Sequence, residues 1–195
     1  MVTLDIAGIS LGEVQTGAYS LVVHRKGEPS RTIPIIIGTS EAQSIEYVLE
    51  ELIPPRPLTH DLFVTFMKEV GAVLTQVEIS HQVDGVFYSQ AVFAVGKKTV
   101  RLDARTSDAV ALAVRTKAPI LMDDALFAEM TAQPVPREEM DLHVTREHRA
   151  LRSKKTAEHL EQLPVEQLQE QLQHAIAKEN YERAALLTKL IKKKS

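Results

Sequence analysis

The stretch Leu102-Asp103-Ala104-Arg105-Thr106-Ser107-Asp108-Ala109-Val110-Ala111-Leu112-Ala113-Val114-Arg115 decides the fold, because it joins a polar segment directly to an apolar one. Residues 109–114 are an unbroken run of apolar residues that favour helix, which predicts a helix buried on nearly every side. Thr106 or Ser107 can accept hydrogen bonds from the free amides of the first turn. Asp108 lies where the positive end of the helix dipole favours a carboxylate.

The polar start of this helix carries charges of both signs at the edge of the predicted core. Solvent screens charges at such a position only in part, so Asp103, Arg105 and Asp108 need partners or a function. Two interpretations are open at this point. In the structural one, the Asp and Ser residues cap the helix and Asp103 pairs with Arg105; in the functional one, the same charges belong to a site.

Length and composition describe one globular domain with an appendage. The chain has 195 residues, of which 44% are hydrophobic, and it contains no cysteine, which excludes disulfides and thiolate metal sites. The N-terminus lacks the basic flank and apolar block of a signal peptide, and no apolar run approaches the length needed to cross a membrane. We therefore expect a soluble, cytoplasmic protein without a membrane segment.

Charge divides the chain into two parts. Residues 1–133 carry 11 Lys and Arg against 16 Asp and Glu, a net charge of −5, whereas residues 134–195 carry 12 against 10, a net charge of +2. Neither part has the strongly basic balance of a protein that coats nucleic acid without sequence preference. Contact with DNA or RNA is therefore expected only at a local patch.

Near-alternation of apolar and polar residues predicts strands in residues 2–11, 18–24 and 32–37, with a chain reversal in residues 25–30. A meander and a short strand follow, at residues 73–79, 87–95, 99–102 and 118–122. Asp84-Gly85 supplies a hairpin turn within this meander. The mixture of hairpins and single crossovers predicts an α+β fold, with a mixed β-sheet packed with helices.

Three further helices are predicted by capping residues and helical spacing. Ser40 and Gln43 have the spacing of a capping box, and the helix they begin ends at Pro54-Pro55-Arg56-Pro57. Thr59 is placed to cap a second helix that stops at Gly71 and whose apolar face comprises Leu62, Phe63, Phe66, Met67 and Val70. A short helix begins at Asp123-Asp124 and ends near Met130.

The C-terminal part follows a change in composition. Residues 134–163 contain charges of both signs and few large apolar residues, which predicts an exposed, partly helical linker. Residues 164–195 are predicted to form a helical hairpin that turns at Lys178-Glu179-Asn180. Two helices this short bury little surface, so the hairpin is expected to dock on a protein partner or to pair with a copy of itself.

Three blocks of residues 1–133 resemble the bifunctional nuclease domain family: Ile37-Gly38-Thr39-Ser40-Glu41-Ala42, Arg56-Pro57-Leu58-Thr59-His60-Asp61-Leu62, and residues 103–113. The resemblance covers about residues 1–130 and implies nuclease activity on DNA and RNA. The tail, with Asn180-Tyr181-Glu182-Arg183-Ala184-Ala185 at its centre, resembles a UVR motif, the hairpin shared by excision-repair nuclease subunits and some chaperone-associated proteins.

Two positions depart from these families. The nuclease family usually has Pro where this chain has Thr106, and both residues suit the start of a helix. UVR motifs commonly carry an Arg-Asp pair where this chain has Leu187-Thr188-Lys189, which weakens the expectation of the excision-repair docking surface more than that of the hairpin.

The resemblance does not fix the catalytic residues, so they are inferred from the chemistry of phosphodiester cleavage. That reaction needs a positioned water and positive charge on the phosphoryl oxygens, which a divalent cation held by carboxylates can supply. Glu41, Asp61 and Asp108 fall in the first turns of three predicted helices and are the expected ligands of Mg²⁺ or Mn²⁺. No organic cofactor is expected.

The expected catalytic residues are His60, Asp61 and Asp108, and Arg56 or Arg105 is expected to hold the substrate phosphate. A helix start disfavours an imidazolium, so we expect His60 to be neutral near pH 7 and able to act as a base. These roles require the three helix starts to meet at one edge of the sheet. If they do not meet, each carboxylate is only a cap.

Two functions of different classes follow from these observations. The first is a nuclease that acts on DNA or RNA and binds a protein through residues 164–195. The second is a non-catalytic adaptor that docks through the same hairpin onto a DNA-repair or protein-quality-control partner. Self-association is also expected, because exposed strand edges and short hairpins both favour pairing between copies.

Overall fold

The computed structural model describes residues 1–11, 18–54, 56–132, 164–177 and 181–194. Contacts divide the chain into two compact units, Met1–Leu142 and His143–Ser195. The predicted linker at residues 134–163 and the predicted turn at residues 178–180 lie outside the described residues. None of the described helices is long and apolar enough to cross a membrane.

Three antiparallel strands begin the first unit: β1 (Val2–Leu11), β2 (Tyr19–Arg25) and β3 (Glu28–Ile37). All three predicted strand regions are confirmed, but β3 begins earlier than predicted. The reversal needs only Lys26 and Gly27, because Gly27 adopts a φ of 83°, which a residue without a Cβ tolerates. Pro29, interpreted as part of the reversal, therefore lies within β3.

The remaining elements of this unit are, in chain order, α1 (Thr39–Leu49), α2 (Thr59–Glu69), β4 (Ala72–Val83), β5 (Val86–Val95), β6 (Lys98–Arg105), α3 (Thr106–Thr116), β7 (Ile120–Met122) and α4 (Asp124–Ala132). Asp84 and Gly85 both have positive φ, as a tight hairpin turn between β4 and β5 requires. The predicted meander and short strand are confirmed.

Seven strands form a single sheet in the order β3-β2-β1-β7-β4-β5-β6. The pairing of β4 with β7 is parallel, and every other pairing is antiparallel. The sheet is therefore mixed and packed with helices, which confirms the predicted α+β fold. Strands β3 and β6 are its two edges.

Helix α3 is the buried helix that residues 109–114 predict. Residues 109–113 are all buried in the core, and Val114 packs against it. Thr106 does not cap the helix, because its side chain points into the core and donates a hydrogen bond to the carbonyl oxygen of Phe87 (3.2 Å). The buried hydroxyl of Ser89 donates in turn to Thr106 Oγ1 (2.5 Å).

Other predicted caps and faces also differ from the structure. The residue that precedes α1 is Gly38, so the predicted Ser40 capping box is wrong. Thr59 lies inside α2, so its predicted role as the cap is wrong. The residue that precedes the helix is Leu58, and its amide donates to Asp61 Oδ2 (2.8 Å). The predicted apolar face of α2 is wrong in part, because the buried residues are Val64 and Met67, whereas Leu62, Phe63, Phe66 and Val70 are exposed.

The described part of the second unit contains two helices, α5 (Val165–Ala177) and α6 (Tyr181–Lys194), as predicted for a helical hairpin. Its described core consists of Leu168, Ala175 and Leu187, with four partly buried apolar residues packed around them. The side chains of Ile176 and Leu186 are exposed. The hairpin therefore presents apolar side chains to solvent.

Candidate active site

The first turns of α1, α2 and α3 meet, as the sequence-based hypothesis requires. Glu41, Asp61 and Asp108 lie in those turns. Arg105 connects Glu41 with Asp108, His60 contacts Asp108, and Arg115 binds Asp61. The structure thus brings five of the six predicted site residues into one cluster. The roles assigned to them remain predictions.

Arg105 bridges two of the carboxylates. Its Nε donates to Asp108 Oδ2 (2.7 Å), and its Nη2 donates to Glu41 Oε1 (2.7 Å) and to Asp108 Oδ1 (3.2 Å). The hydrogen bonds that Arg105 donates to Asp108 and Glu41 raise the pKa of Arg105 above its ordinary value, so the guanidinium is permanently charged. The side chain is nevertheless 68% exposed, which leaves it open to a ligand.

The carboxylate of Glu41 folds back over the start of α1 because Gly38 leaves room for it. A Cβ atom at Gly38 would collide with Oε2 of Glu41. Gly38 has an ordinary extended conformation (φ −74°, ψ 162°), so its lack of a side chain is needed for space and not for backbone freedom. The small residue before α1 is thus part of the site.

His60 lies between a carboxylate and a hydroxyl. Its Nε2 is 3.1 Å from Asp108 Oδ1, and its Nδ1 is 2.9 Å from Ser44 Oγ. The ring is 15% exposed, so one part of it still reaches the surface. Because α2 carries His60 in its first turn, this ring spans the gap between α1 and α3.

Arg115 is the residue that the sequence-based hypothesis missed. Its side chain is 6% exposed and makes hydrogen bonds to three elements. Nε donates to Asp61 Oδ1 (2.6 Å), Nη2 donates to both the carbonyl oxygen (3.1 Å) and Oγ (3.0 Å) of Ser44, and Nη1 donates to the carbonyl oxygen of Ala111 (2.9 Å). The sequence did contain a signal for this residue. Arg115 follows Asp108 by seven positions on a buried helix, so the two side chains lie on the same face of α3.

The partners of His60 order the protons of this network. A guanidinium can only donate, so Ser44 Oγ accepts from Arg115. The ionised carboxylate of Asp108 can only accept, so Nε2 of His60 donates to it, and in the neutral ring Nδ1 accepts the hydroxyl hydrogen of Ser44. Asp108 therefore selects one tautomer of His60, and Ser44 donates to the other ring nitrogen.

Asp108 is ionised within this network. Partial burial acts to raise the pKa of its carboxyl, but hydrogen bonds from Arg105 and His60, with the positive charge of Arg105, outweigh burial. The pKa of Asp108 consequently lies below its ordinary value. The carboxylate is charged at neutral pH and can stabilise a positive charge on His60.

An open groove with a volume of about 490 Å³ runs along the cluster. Its lining includes Glu41, Ser44, His60, Arg105 and Asp108. Asp61 is not part of the lining, because Arg115 and the Leu58 amide bind its two oxygens. Arg56 is exposed nearby in the chain, and within the described ranges it makes no ion pair.

No group of three or more His, Asp or Glu side chains in the described part of the chain is arranged to hold a metal ion. Glu41 and Asp108 are the two carboxylates that face the groove and share one cation, the guanidinium of Arg105. These two could ligate a metal together with water and substrate phosphate. A metal role for Asp61 stays a prediction.

Comparison with known proteins identifies the domain that contains these three helix starts. The model of the bifunctional nuclease domain matches residues 21–134. The chain belongs to the bifunctional nuclease domain family. Every residue of the cluster, from Gly38 to Arg115, lies within the matched range of this domain. Residues 164–195 lie outside it, so the UVR resemblance of the hairpin remains a prediction.

Relatives of this bifunctional nuclease domain include an uncharacterised protein of Mycobacterium tuberculosis. It is 35% identical over 124 residues, which is 64% of this chain and 73% of the relative. Bifunctional nuclease 1 of rice (Oryza sativa subsp. japonica) is 25% identical over 126 residues, 62% of this chain but only 38% of the plant protein. The chain therefore spans little more than a third of the plant nuclease that it resembles.

Proposed function

We propose that this chain is a nuclease that hydrolyses phosphodiester bonds of DNA or RNA in the groove between α1, α2 and α3. The observation that supports this proposal best is the position of His60, held between Asp108 and Ser44 beside an exposed arginine. A base, a carboxylate that orients it and a cation for the phosphate are the groups that this reaction needs.

In this proposal, Arg105 binds the substrate phosphate. Its Nε and Nη2 donate to the two carboxylates, whereas Nη1 makes no hydrogen bond to any described residue. Nη1 is thus the atom of Arg105 that would donate to a phosphoryl oxygen. An arginine that is already oriented by two carboxylates loses little freedom on binding phosphate.

His60 acts as the base in the proposed reaction. An attacking water replaces the Ser44 hydroxyl as the donor to Nδ1 and transfers one proton to that nitrogen while its oxygen bonds to phosphorus. The imidazolium that forms donates Nε2–H to Asp108, whose negative charge stabilises it. The bond from phosphorus to the leaving oxygen breaks, that oxygen takes up a proton from solvent, and His60 then releases its extra proton to solvent.

A divalent cation such as Mg²⁺ or Mn²⁺ is compatible with the same groove. Three carboxylates and two guanidinium groups leave the ion-paired cluster with one excess negative charge when His60 is neutral. Glu41 and Asp108 would hold the cation, with water and phosphate completing its ligands. When bound, the cation would neutralise charge on the phosphoryl oxygens.

The test is cleavage of end-labelled single-stranded DNA and RNA by the purified full-length chain, with Mg²⁺, with Mn²⁺ and with a chelator. His60→Asn and Asp108→Asn are expected to lose most of the activity. His81→Asn is the matched control, because His81 is exposed, stacks on Tyr88 and lies outside the groove. Equal cleavage by all three variants would reject the site, and no cleavage by the wild-type chain on either substrate would reject the function.

A second candidate function is a protein adaptor that binds a repair or quality-control partner through residues 164–195, as the UVR resemblance implies. The exposed side chains of Ile176 and Leu186 favour it, because a hairpin with a small core gains stability by covering them. Capture experiments with the full-length chain and with an Ile176→Glu, Leu186→Glu variant distinguish it. An unchanged set of captured proteins would remove the reason for this function.

A further inference from the structure

The two edges of the sheet differ in how they are protected. Strand β3 contains Pro29 and Pro34, which remove hydrogen-bond donors and hinder pairing. Helix α4 also packs on β3, where Arg31 donates to Thr131 (2.6 Å) and lies over the ring of Phe127. Strand β6 has neither form of protection: it contains no proline, and within the described residues no element pairs with its outer side.

Strand β6 also exposes an apolar residue at its centre. Val100 and Ala104 pack against the core, and Leu102, which lies between them on the same side of the strand, is 46% exposed. Next to it, Phe63 of α2 makes an edge-to-face contact with Phe93, the residue paired with Val100. The helix-covered side of this edge is therefore apolar where a neighbouring strand would lie.

We propose that two copies of this chain pair through β6, antiparallel, about a two-fold axis that passes by Leu102. This register places Leu102 opposite its own copy and Val100 opposite Ala104 of the second copy, which covers the apolar side. On the other side, Arg101 lies opposite Asp103 of the second copy, and the symmetric pair repeats the contact. The strand is thus complementary to itself in charge as well as in shape.

The charges at this edge are available for such a contact. Asp103 is exposed and forms no ion pair among the described residues. Arg101 binds Glu78 of β4 through Nη1 (2.6 Å), which leaves Nη2 for a carboxylate of the second copy. Charged residues on a strand edge usually prevent pairing, but here opposite charges meet in the symmetric register.

Pairing of this kind joins two sheets into one and has a consequence for the groove. A two-fold axis perpendicular to the sheet keeps the helices of both copies on the same face. Arg105 of one copy lies opposite Thr99 of the other, so the two Arg105 positions are about 20 Å apart along the strands at about 3.3 Å per residue. The surface does not depend on the proposed nuclease activity.

A single introduced cysteine tests the register, because the chain has no cysteine of its own. Under mild oxidation, full-length Leu102→Cys is expected to form a covalent dimer, since directly opposite residues are close enough for a disulfide. Thr99→Cys is the control on the same strand, and its copy lies about 20 Å away in the proposed register. Equal cross-linking of the two variants, or none in either, would overturn the proposal.

Variants that exchange the charges of Arg101 and Asp103 test the proposed contact between the two copies without a covalent bond. Sedimentation of the full-length chain is expected to show a dimer whose dissociation constant rises roughly tenfold in Arg101→Asp, because two like-charge pairs replace two opposite ones. The double variant Arg101→Asp, Asp103→Arg restores both pairs and is expected to recover the dimer. Glu78→Gln, which removes only the contact within one chain, is expected to leave it unchanged. A wild-type monomer, or a double variant no better than the single one, would refute the pairing.

Discussion

Arg115 Nε lies 2.6 Å from Asp61 Oδ1, although the two residues are 54 positions apart in the chain. The same side chain binds Ser44, so it joins α1, α2 and α3. Replacing it with Met removes the charge but keeps most of the volume. Arg115→Met is expected to lower the free energy of unfolding by about 2–4 kcal/mol, because Asp61 Oδ1 and the Ser44 carbonyl oxygen lose the guanidinium as a donor.

Urea denaturation of the full-length chain measures this loss. Arg25→Met is the matched control, because Arg25 is an exposed arginine that also pairs with one carboxylate, that of Glu28. Its loss is expected to be much smaller, since solvent replaces the contact. Equal losses in the two variants would contradict the structural role of Arg115.

Asp108 makes the free energy of unfolding depend on pH. Its pKa is lower in the folded chain than in the unfolded chain, so its contribution to stability is complete above about pH 4 and disappears as the pH falls through the folded value. The difference in unfolding free energy between the wild type and Asp108→Asn is therefore expected to shrink between pH 6 and pH 3. A difference that stays constant over this range would show that the carboxylate is not held by its partners.

The tautomer of His60 follows from the acceptor beside Nε2. Because the Asp108 carboxylate can only accept, the proton of the neutral ring is expected on Nε2. Long-range proton–nitrogen correlation spectra of nitrogen-labelled protein measure the tautomer directly. Asp108→Ala removes this acceptor and is expected to give a mixed population, because the Ser44 hydroxyl can donate to Nδ1 or accept from it. Ser44→Ala keeps the carboxylate and should preserve the single tautomer. A wild-type ring protonated on Nδ1 would contradict the proposed order of protons.

Gly38 and Gly71 are glycines for different reasons: Gly38 leaves space for a neighbouring side chain, whereas Gly71 has a positive φ. Gly38→Ala is expected to change stability by less than about 1 kcal/mol, because only the flexible end of Glu41 must move. Gly71 has a φ of 67° and open space around it, so Gly71→Ala is expected to cost about 1 kcal/mol through strain alone.

A crystal structure of Gly38→Ala should show the Glu41 carboxylate displaced from Arg105, and urea denaturation measures both stability changes. An unmoved Glu41 would contradict the role given to Gly38.

Local patterns predicted most of the fold. Helix α3 was recognisable because its apolar run is too continuous for an amphipathic surface helix, and β4 with β5 because Asp84-Gly85 favours one turn type. The buried face of α2 could not be recognised from the sequence, because the apolar residues extend around the helix and only packing decides which of them are buried. The sequence placed Met67 on the buried face correctly and Phe66 incorrectly.

The cluster itself was predictable only in part. The three blocks that resemble the family contain four carboxylates, and charge preferences at helix starts singled out Glu41, Asp61 and Asp108 among them, because the helix dipole acts within one turn. The contact between His60 and Asp108 joins residues 48 positions apart, and no local rule reports such a distance. Arg115 was missed because an arginine in the last turn of a helix is ordinarily explained by the dipole alone.

Strand β6 ends at Arg105 and helix α3 begins at the next residue, so no loop separates the sheet edge from the cluster. Insertions and deletions accumulate in loops as sequences diverge, and a change of length at this junction would rotate Asp108 and Arg115 away from their partners. We therefore expect the junction to keep its length among homologues. Differences in substrate preference should instead arise in the connection between α1 and α2, which borders the opposite side of the groove.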